Sequence, residues 1–196
     1  MKYRRPKWAL FVALLIAVTC IVYFSHWGND PPDEKPPKPP ELTDITVSIL
    51  DTNYALGSEV GKITFPALEI DWQPIFYGSD SPYLDLGICL TEREGGWEFI
   101  GENGRSLLSC HNYAEFRHLN SVEIGERILL ETGGYEFEYE VIDSRICTPE
   151  NWDQFAYYET PENGITLSTC YPFVKGTSDR WILNCKLISI SELTIQ

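Results

Sequence analysis

Apolar and polar residues alternate with a period of two along much of the chain after residue 41. The clearest case is the run 135–141, in which apolar side chains are separated by Glu136, Glu138 and Glu140. This alternation is typical of a strand with one buried and one exposed face. The apolar residues 128–130 precede it across Gly133-Gly134, which predicts a β-hairpin.

Short β-rich runs recur along the rest of this region. We predict further strands at 62–65, 68–75, 97–100, 106–111, 165–170 and 180–190. Helical patterns are few, at 113–119, where Phe116 and Leu119 can face inward, and around 150–155. Many short strands in one domain favour a closed barrel or a sandwich, so residues 42–196 are predicted to form a mostly all-β domain.

The first residues have a different pattern. Residues 8–24 carry no charge over 17 positions, and as a helix they would span about 26 Å, close to the apolar thickness of a bilayer. Trp8 and Trp27 suit the two interfaces, and four bases lie within residues 1–7. We therefore predict a cytoplasmic segment (1–7), a single transmembrane anchor (8–27) in the plasma membrane and an extracellular body. A cleaved signal peptide and a lipidated Cys20 are the alternatives.

Residues 31–40 contain six prolines. Proline favours an extended polyproline helix, so the linker 28–41 is predicted to be a stiff spacer. A ligand for a proline-recognition domain is the alternative interpretation.

Charge and cysteine content narrow the function classes. The formal net charge is −14, divided into +2 for residues 1–41 and −16 for the rest. A body this acidic repels phosphate, which argues against nucleic-acid binding. Beyond Cys20, five cysteines remain, an odd number, so at least one thiol lacks an intramolecular partner. The chain has no C-x-x-C motif and few histidines, and we predict no metal or other cofactor.

Three residues are candidates for catalysis. Cys170 ends a predicted strand just before Tyr171-Pro172, and Arg180 opens the next strand, so a hairpin would bring the two together. His111 ends another strand. A thiol nucleophile needs a base and an oxyanion donor, which these residue types supply. Taken singly, each residue also has a structural interpretation: Cys170 as a core thiol, Arg180 as a surface ion-pair partner and His111 as a helix cap.

Together the three residues resemble the pattern of the sortases, membrane-anchored cysteine transpeptidases of mainly Gram-positive bacteria. Thr166-Leu167-Ser168-Thr169-Cys170 matches the T-L-x-T-C motif of that family, with an Arg at the start of the next strand and a His far upstream. Residues 61–68 are similar to the family's first strand, and 116–126 to its F-x-x-L-x-x-x-x-x-G-D segment with Glu in place of Asp. The resemblance covers about residues 57–191.

The resemblance implies an eight-stranded β-barrel with one or two short helices. It implies that Cys170 attacks an LPxTG-like sorting signal of a secreted surface protein, that Arg180 holds the substrate and the oxyanion, and that His111 is the acid and base. The thioacyl intermediate would pass to an amine of a cell-wall precursor or a pilin lysine. An extracytoplasmic cysteine protease and a catalytically silent surface β-domain are the rival hypotheses.

The chain departs from the family pattern at several points. Cys110 stands where a Gly usually precedes the His, and the connection 148–164 is too short for the helical insertion of class B. Asp80-Ser81-Pro82-Tyr83 only approaches the lid motif of class C. The resemblance therefore favours a class D- or E-like enzyme, and no calcium site is predicted.

Two further predictions concern side chains near these residues. Thr169 and the aromatic residues of the connection 148–164, Trp152, Phe155 and Tyr157 among them, are predicted to bind the Leu-Pro end of the peptide. The alternative is that the aromatic side chains pin this connection to the barrel. Cys110 is predicted to face the barrel interior, because successive strand residues point to opposite faces. The alternative is a redox switch that bonds Cys110 to another thiol.

Overall fold

The computed structural model describes residues 54–93, 96–172, 174 and 176–193. The predicted anchor (8–27), the Pro-rich linker (28–41) and Cys20 lie outside these residues. Within the described part of the chain, no helix has the length and apolar character needed to cross a bilayer.

Eight strands close into one barrel, as predicted. Their order around the barrel is β1-β2-β3-β4-β7-β8-β6-β5. The pairs β2–β3 and β4–β7 are parallel, and the other neighbouring strands are antiparallel. The strands are β1 (Glu59–Phe65), β2 (Ile70–Tyr77), β3 (Ile88–Leu90), β4 (Ser106–Ser109), β5 (Arg127–Thr132), β6 (Tyr135–Cys147), β7 (Ile165–Cys170) and β8 (Arg180–Glu192).

The helical elements in the described residues are short. One α-helical turn, α1 (Ser81–Leu84), crosses from the end of β2 to the start of β3. A π-helical turn (Asp153–Tyr158) follows the 3₁₀ turn Pro149–Asn151 in the connection between β6 and β7, near the predicted helical segment. Two other 3₁₀ turns are Pro66–Leu68 and Leu119–Ser121.

The hairpin predicted at Gly133-Gly134 joins β5 to β6. Both glycines have positive φ angles, 59° and 84°, the conformation that two-residue hairpin turns require. In β6, Phe137 and Val141 are fully buried, whereas the glutamates between them lie on the outer face. The period of two therefore predicted both the strand and the face that it buries.

Two local predictions were wrong. Residues 97–100 are not a strand, although Phe99 is buried because its ring packs edge-on against Tyr54 and Tyr77 at centroid distances of 5.0 and 5.4 Å. Residues 113–119 form successive turns instead of a helix, but Phe116 and Leu119 are fully buried, as predicted. In both segments the apolar pattern gives burial correctly, because packing depends on side chains and not on regular backbone hydrogen bonds.

A second, smaller apolar cluster lies outside the main core. It combines residues of β4, β6 and β8 with the β6–β7 connection (148–164), and its members are Trp97, Leu107, Cys147, Ala156 and Ile182, packed against Trp152, Phe155 and Tyr157. The connection thus covers the outer face of the barrel. For this reason the first five residues of β7 are all buried, although an exposed strand would alternate.

Buried polar side chains hold this connection to the barrel. Thr166 Oγ1 donates to the carbonyl oxygen of Ala156 at 2.6 Å, and Asn184 Nδ2 donates to that of Phe155 at 2.7 Å. Thr160 completes the network with a 2.7 Å contact to the Thr166 hydroxyl. The first threonine of the T-L-x-T-C motif therefore has a structural role, since its hydroxyl satisfies the backbone carbonyl of Ala156 in the π-helical turn.

Candidate active site

Strand register brings the three predicted catalytic residues side by side. In the parallel β4–β7 pair, Ser109 lies opposite Ser168, and the same register continued for two residues places His111 beside Cys170. In the antiparallel β7–β8 pair, Cys170 lies opposite Arg180. Side chains of paired residues share one face of a sheet, with strands about 4.8 Å apart. The three residues therefore form a row across adjacent strand ends, called here the strand-end row.

The second threonine of the motif ties two members of this row together. Thr169 is buried, and its Oγ1 donates to the carbonyl oxygen of Cys110 at 2.9 Å. The amide of Cys110 in turn donates to the carbonyl oxygen of Ser168 at 3.2 Å. These bonds fix the end of β4 to the end of β7. The predicted contact of Thr169 with substrate stays a prediction, and its hydroxyl already has this internal partner.

Cys170 and His111 line one cleft of about 670 Å³. Cys170 is half-buried, unlike the other described cysteines, which are buried. The cleft is formed by α1, the turns after β4 and the β7–β8 loop, and its other lining residues are Ser81, Asp85, Asn112, Tyr113, Arg117, Val174 and Gly176. A volume of this size suits a peptide segment or an amine-bearing group.

The imidazole of His111 has two neighbours that the sequence did not reveal. Its Nε2 lies 3.1 Å from Oδ1 of Asp85, and its ring stacks on Tyr113 with centroids 4.8 Å apart and planes at 16°. Asp85 is 26 positions away, and its segment shows no periodicity that would have linked it to His111. Tyr113, two residues after the histidine, could have been proposed from proximity alone.

The guanidinium of Arg180 points to a neighbouring, smaller cavity. Its Nη1 donates to the carbonyl oxygens of Thr177, Ser178 and Asp179 at 3.3, 3.0 and 3.0 Å. The cavity has a volume of about 190 Å³ and is lined by Arg180, Cys147, Thr148, Pro149, Trp152 and Ser178. Register thus brings Arg180 beside Cys170, while its side chain lines this smaller cavity.

Burial distinguishes the remaining thiols from Cys170. It raises the pKa of Cys89 to about 12 and that of Cys147 to about 11. It also raises the pKa values of Cys110 and Cys185. A thiol is a nucleophile only as its thiolate, so the raised pKa values disfavour reaction of these four side chains near neutral pH.

Cys110 faces the barrel interior, as predicted. It belongs to the main core, and its Sγ–H donates to Oε2 of Glu115 at 3.0 Å. Burial first, and then this hydrogen bond, raises the pKa of the thiol. The five described cysteines are all free thiols, and Cys110 and Cys170 point to opposite faces, a geometry that cannot form a disulfide without backbone movement.

The aromatic residues predicted to bind substrate occupy two environments. Trp152 lines the cavity next to Arg180. Phe155 packs under the guanidinium of Arg145 at 4.6 Å, and Tyr157 meets Trp97 edge-on at 5.1 Å. Phe155 and Tyr157 thus contact residues outside the connection, which agrees with the alternative interpretation, and their contact with substrate stays a prediction. Among the described residues, no group of three His, Cys, Asp or Glu side chains could hold a metal ion.

Comparisons with known proteins agree with this architecture. A family model described as the sortase domain matches residues 63–188. Sortase D of Bacillus subtilis is 27% identical over 135 residues, which cover 68% of this chain and 66% of the relative. The match therefore spans just under two thirds of that protein's length.

Solved structures share the fold. Sortase C-3 of Streptococcus pneumoniae superposes with a TM-score of 0.61 at 23% identity, over 71% of this chain and 67% of the other. A sortase C of Clostridium perfringens, solved with a C-terminal cell-wall sorting motif, gives 0.59 at 24% identity, over 70% and 74%. At these identities the likeness concerns the fold alone.

Proposed function

The chain belongs to the sortase family of transpeptidases, and from this membership we propose that it cleaves an LPxTG-like sorting signal and transfers the acyl fragment to an amine. The signal would come from a secreted surface protein. The C. perfringens neighbour solved with a cell-wall sorting motif supports a substrate of this class. The amine would belong to a cell-wall precursor or a pilin lysine.

The observation that carries the proposal is the strand-end row. A half-buried thiol, an imidazole and a guanidinium stand on three neighbouring strand ends, although His111 is far from the other two in sequence. Acyl transfer needs a nucleophile, a proton carrier and an oxyanion donor at one place. A catalytically silent β-domain would not need these three groups on adjacent strand ends, with two of them lining one cleft.

The first half-reaction forms a thioacyl enzyme. The proton of Cys170 passes to His111, and the Sγ thiolate attacks the scissile carbonyl carbon, so that a C–S bond forms. Arg180 donates to the oxygen on which negative charge develops, which requires its fork to turn from the loop carbonyls toward Cys170. The C–N bond then breaks, and the leaving amine takes its proton from the imidazolium of His111.

The second half-reaction returns the enzyme to its starting state. The incoming amine attacks the thioester carbon and gives a proton to the neutral imidazole of His111. As the new C–N bond forms, the C–S bond breaks, Cys170 leaves as thiolate, and the imidazolium of His111 returns the proton to its sulfur. Water in place of the amine would complete a hydrolysis by the same groups, which is the cysteine-protease alternative.

We place this activity outside the cell and favour a class D- or E-like enzyme. The 17 uncharged residues at 8–24 and the preceding bases support a single-pass anchor in the plasma membrane with the N-terminus in the cytoplasm. The relative named sortase D supports the class, as does the β6–β7 connection, which contains only a 3₁₀ turn and one π-helical turn.

Mass spectrometry tests the proposal directly. The full-length protein is incubated with a panel of LPxTG-like peptides, with and without an added amine such as diaminopimelate or a lysine peptide. We expect at least one peptide to leave an acyl group on Cys170 and the added amine to raise product formation. Cys170→Ala is the control and should give neither. Hydrolysis unaffected by any amine would favour a protease, and absence of any adduct would favour a silent domain.

A further inference from the structure

We infer that Asp85 is a positioning residue for His111, and that its carboxylate accepts the Nε2–H hydrogen so that Nδ1 is the nitrogen that exchanges protons with the reacting groups. The inference rests on the proposed function and extends it to a residue outside the T-L-x-T-C, Arg and His pattern. The argument has three points. Two are geometric, namely the contact between Asp85 and His111 and the anchoring of Asp85. The third concerns the ring nitrogen of His111 that remains for proton transfer.

The first point is the contact itself. Oδ1 of Asp85 lies 3.1 Å from Nε2 of His111, and both residues line the cleft that contains Cys170. A carboxylate can only accept a hydrogen bond, so this distance requires the hydrogen to be on Nε2. Tyr113 stacks on the ring at 4.8 Å and limits its rotation. One edge of the imidazole and one of its faces are thus occupied.

The second point is that Asp85 is held by its own backbone. It follows α1 directly, and its amide donates to the carbonyl oxygen of Ser81 at 3.1 Å. Within α1, the ring of Tyr83 packs so closely on Gly78 that a Cβ there would lie 2.6 Å from it. The turn is therefore fixed to the end of β2, and it presents the carboxylate from a rigid support.

The third point follows from proton accounting. If Nε2 keeps its hydrogen bonded to Asp85 throughout, Nδ1 alone gains a proton from Cys170, releases it to the leaving amine and accepts one from the incoming amine. The side chain of Asp85 stays in contact with Nε2 and lies beside the imidazolium that forms between these steps. In the Ser-His-Asp triad a carboxylate also orients the histidine, there through Nδ1–H, so that Nε2 is the nitrogen that exchanges protons.

Exposure separates this role from a structural one. The side chain of Asp85 is 61% exposed, and a pair this open contributes little to folding stability. Its loss should therefore slow proton transfer without unfolding the barrel. Asp80 offers a matched control, because it lies on the same segment but lines a different cavity, with Tyr54, Tyr77 and Phe99.

The experiment compares Asp85→Asn, Asp85→Glu and Asp80→Asn in the full-length protein. The first readout is the ¹⁵N chemical shift of the His111 ring nitrogens in the resting protein, which identifies the tautomer without any substrate. We expect a single Nε2–H tautomer in the parent and in Asp80→Asn, and a mixture of tautomers in Asp85→Asn. An unchanged single tautomer in Asp85→Asn, or an Nδ1–H tautomer in the parent, would overturn the inference.

The second readout is the rate of thioacyl formation with an LPxTG-like peptide. We expect Asp85→Asn to lower kcat about tenfold or more with KM changed less than about twofold, and Asp85→Glu to recover part of the loss. Asp80→Asn should behave as the parent. An equal loss in Asp80→Asn, or a rise in KM alone in Asp85→Asn, would assign Asp85 to scaffold or to substrate binding and refute the inference.

The two readouts keep this inference apart from the proposed function. If the parent forms no thioacyl adduct with any peptide or amine, the proposed function fails while the tautomer measurement still decides whether Asp85 orients the ring. If the parent is active and Asp85→Asn matches it in both rate and tautomer, the proposed function stands and the role of Asp85 is refuted.

Discussion

Two thiols on neighbouring strands have opposite chemical character. Cys147 lies opposite Arg180 on one side, as Cys170 does on the other. Both thus belong to one row of side chains, but Cys147 is fully buried under the β6–β7 connection and its pKa is raised to about 11. Access and solvation, and not the neighbouring guanidinium, therefore decide which thiol can react.

Alkylation should reveal this difference. Iodoacetamide at neutral pH is expected to modify Cys170 at least about tenfold faster than Cys89, Cys110, Cys147 or Cys185 in the folded protein. Because burial raises the pKa values of these thiols, we expect them to stay protonated at neutral pH, and burial also blocks the reagent. Peptide mapping by mass spectrometry after short exposure measures the order.

The serine variant of Cys110 is the control for the alkylation experiment. Cys110→Ser should keep the parent's labelling of Cys170 and most of its activity, because the thiol only fills the core and donates to Glu115. Labelling of Cys110 ahead of Cys170 would contradict the buried-thiol assignment. A parent protein that is active only with added reductant, together with a Cys110→Ser variant that is active without it, would also contradict this assignment. That result would support the redox switch.

Arg180 should not be replaceable by lysine. We expect Arg180→Lys to lose at least about tenfold in kcat/KM, because an ammonium cannot give two parallel hydrogen bonds and cannot span from the loop carbonyls to an oxyanion. Steady-state assay with the peptide identified by mass spectrometry measures the loss. Equal turnover in the two proteins would mean that Arg180 only closes the 177–179 loop.

Among the elements, the β6–β7 connection has two distinct parts. Trp152 and Tyr157 both pack against Trp97 in the second apolar cluster, and Trp152 also lines the cavity beside Arg180. The alternation of strands predicted the barrel, and the motif predicted the strand-end row. Neither could divide these aromatic side chains between substrate and scaffold, because that depends on contacts with Trp97, which is 55 residues before Trp152 in the sequence.

Substitutions in the connection should separate its two parts. Trp152→Ala is expected to change the preference among peptides by about threefold or more, while the alkylation rate of Cys170 stays the same. Tyr157→Ala should instead lower the melting temperature, since it removes a buried aromatic contact. Competition between two peptides and thermal unfolding are the measurements. Tyr158→Ala is the control, because that side chain is 66% exposed.

Where the sequence failed at this scale, the reasons are physical. Strand β3 has three residues, all buried, so no alternation marks it. The sequence does not single out Asp85, because a charged residue after a short turn is typical of any solvent-exposed surface position. Asp85 belongs to the connection between β2 and β3. Its contact with His111 depends on the path of this connection over the barrel, which is determined by tertiary packing.

For the whole molecule, the proposed orientation has a direct test. In protoplasts of cells that produce the full-length chain, added protease should digest the barrel domain and leave only an N-terminal fragment. The reason is that the bases in residues 1–7 favour retention of that end in the cytoplasm. Immunoblotting with antibodies against each end measures this. Complete protection of the domain in intact protoplasts, with digestion after permeabilisation, would reverse the orientation.

The turn of the β5–β6 hairpin separates the candidate site residues in the sequence, with Asp85 and His111 before it and Cys170 and Arg180 after it. Gly133 and Gly134 lie at the end of β6 farthest from Cys147, and so away from the cavity beside Arg180. Cutting the chain there leaves His111 and Asp85 in one fragment and Cys170 and Arg180 in the other. Neither fragment alone carries a working set of groups. Activity regained on mixing them would thus report that β5 has paired with β6 and that β4 has paired with β7 across the two fragments, so that catalysis measures reassembly of the barrel.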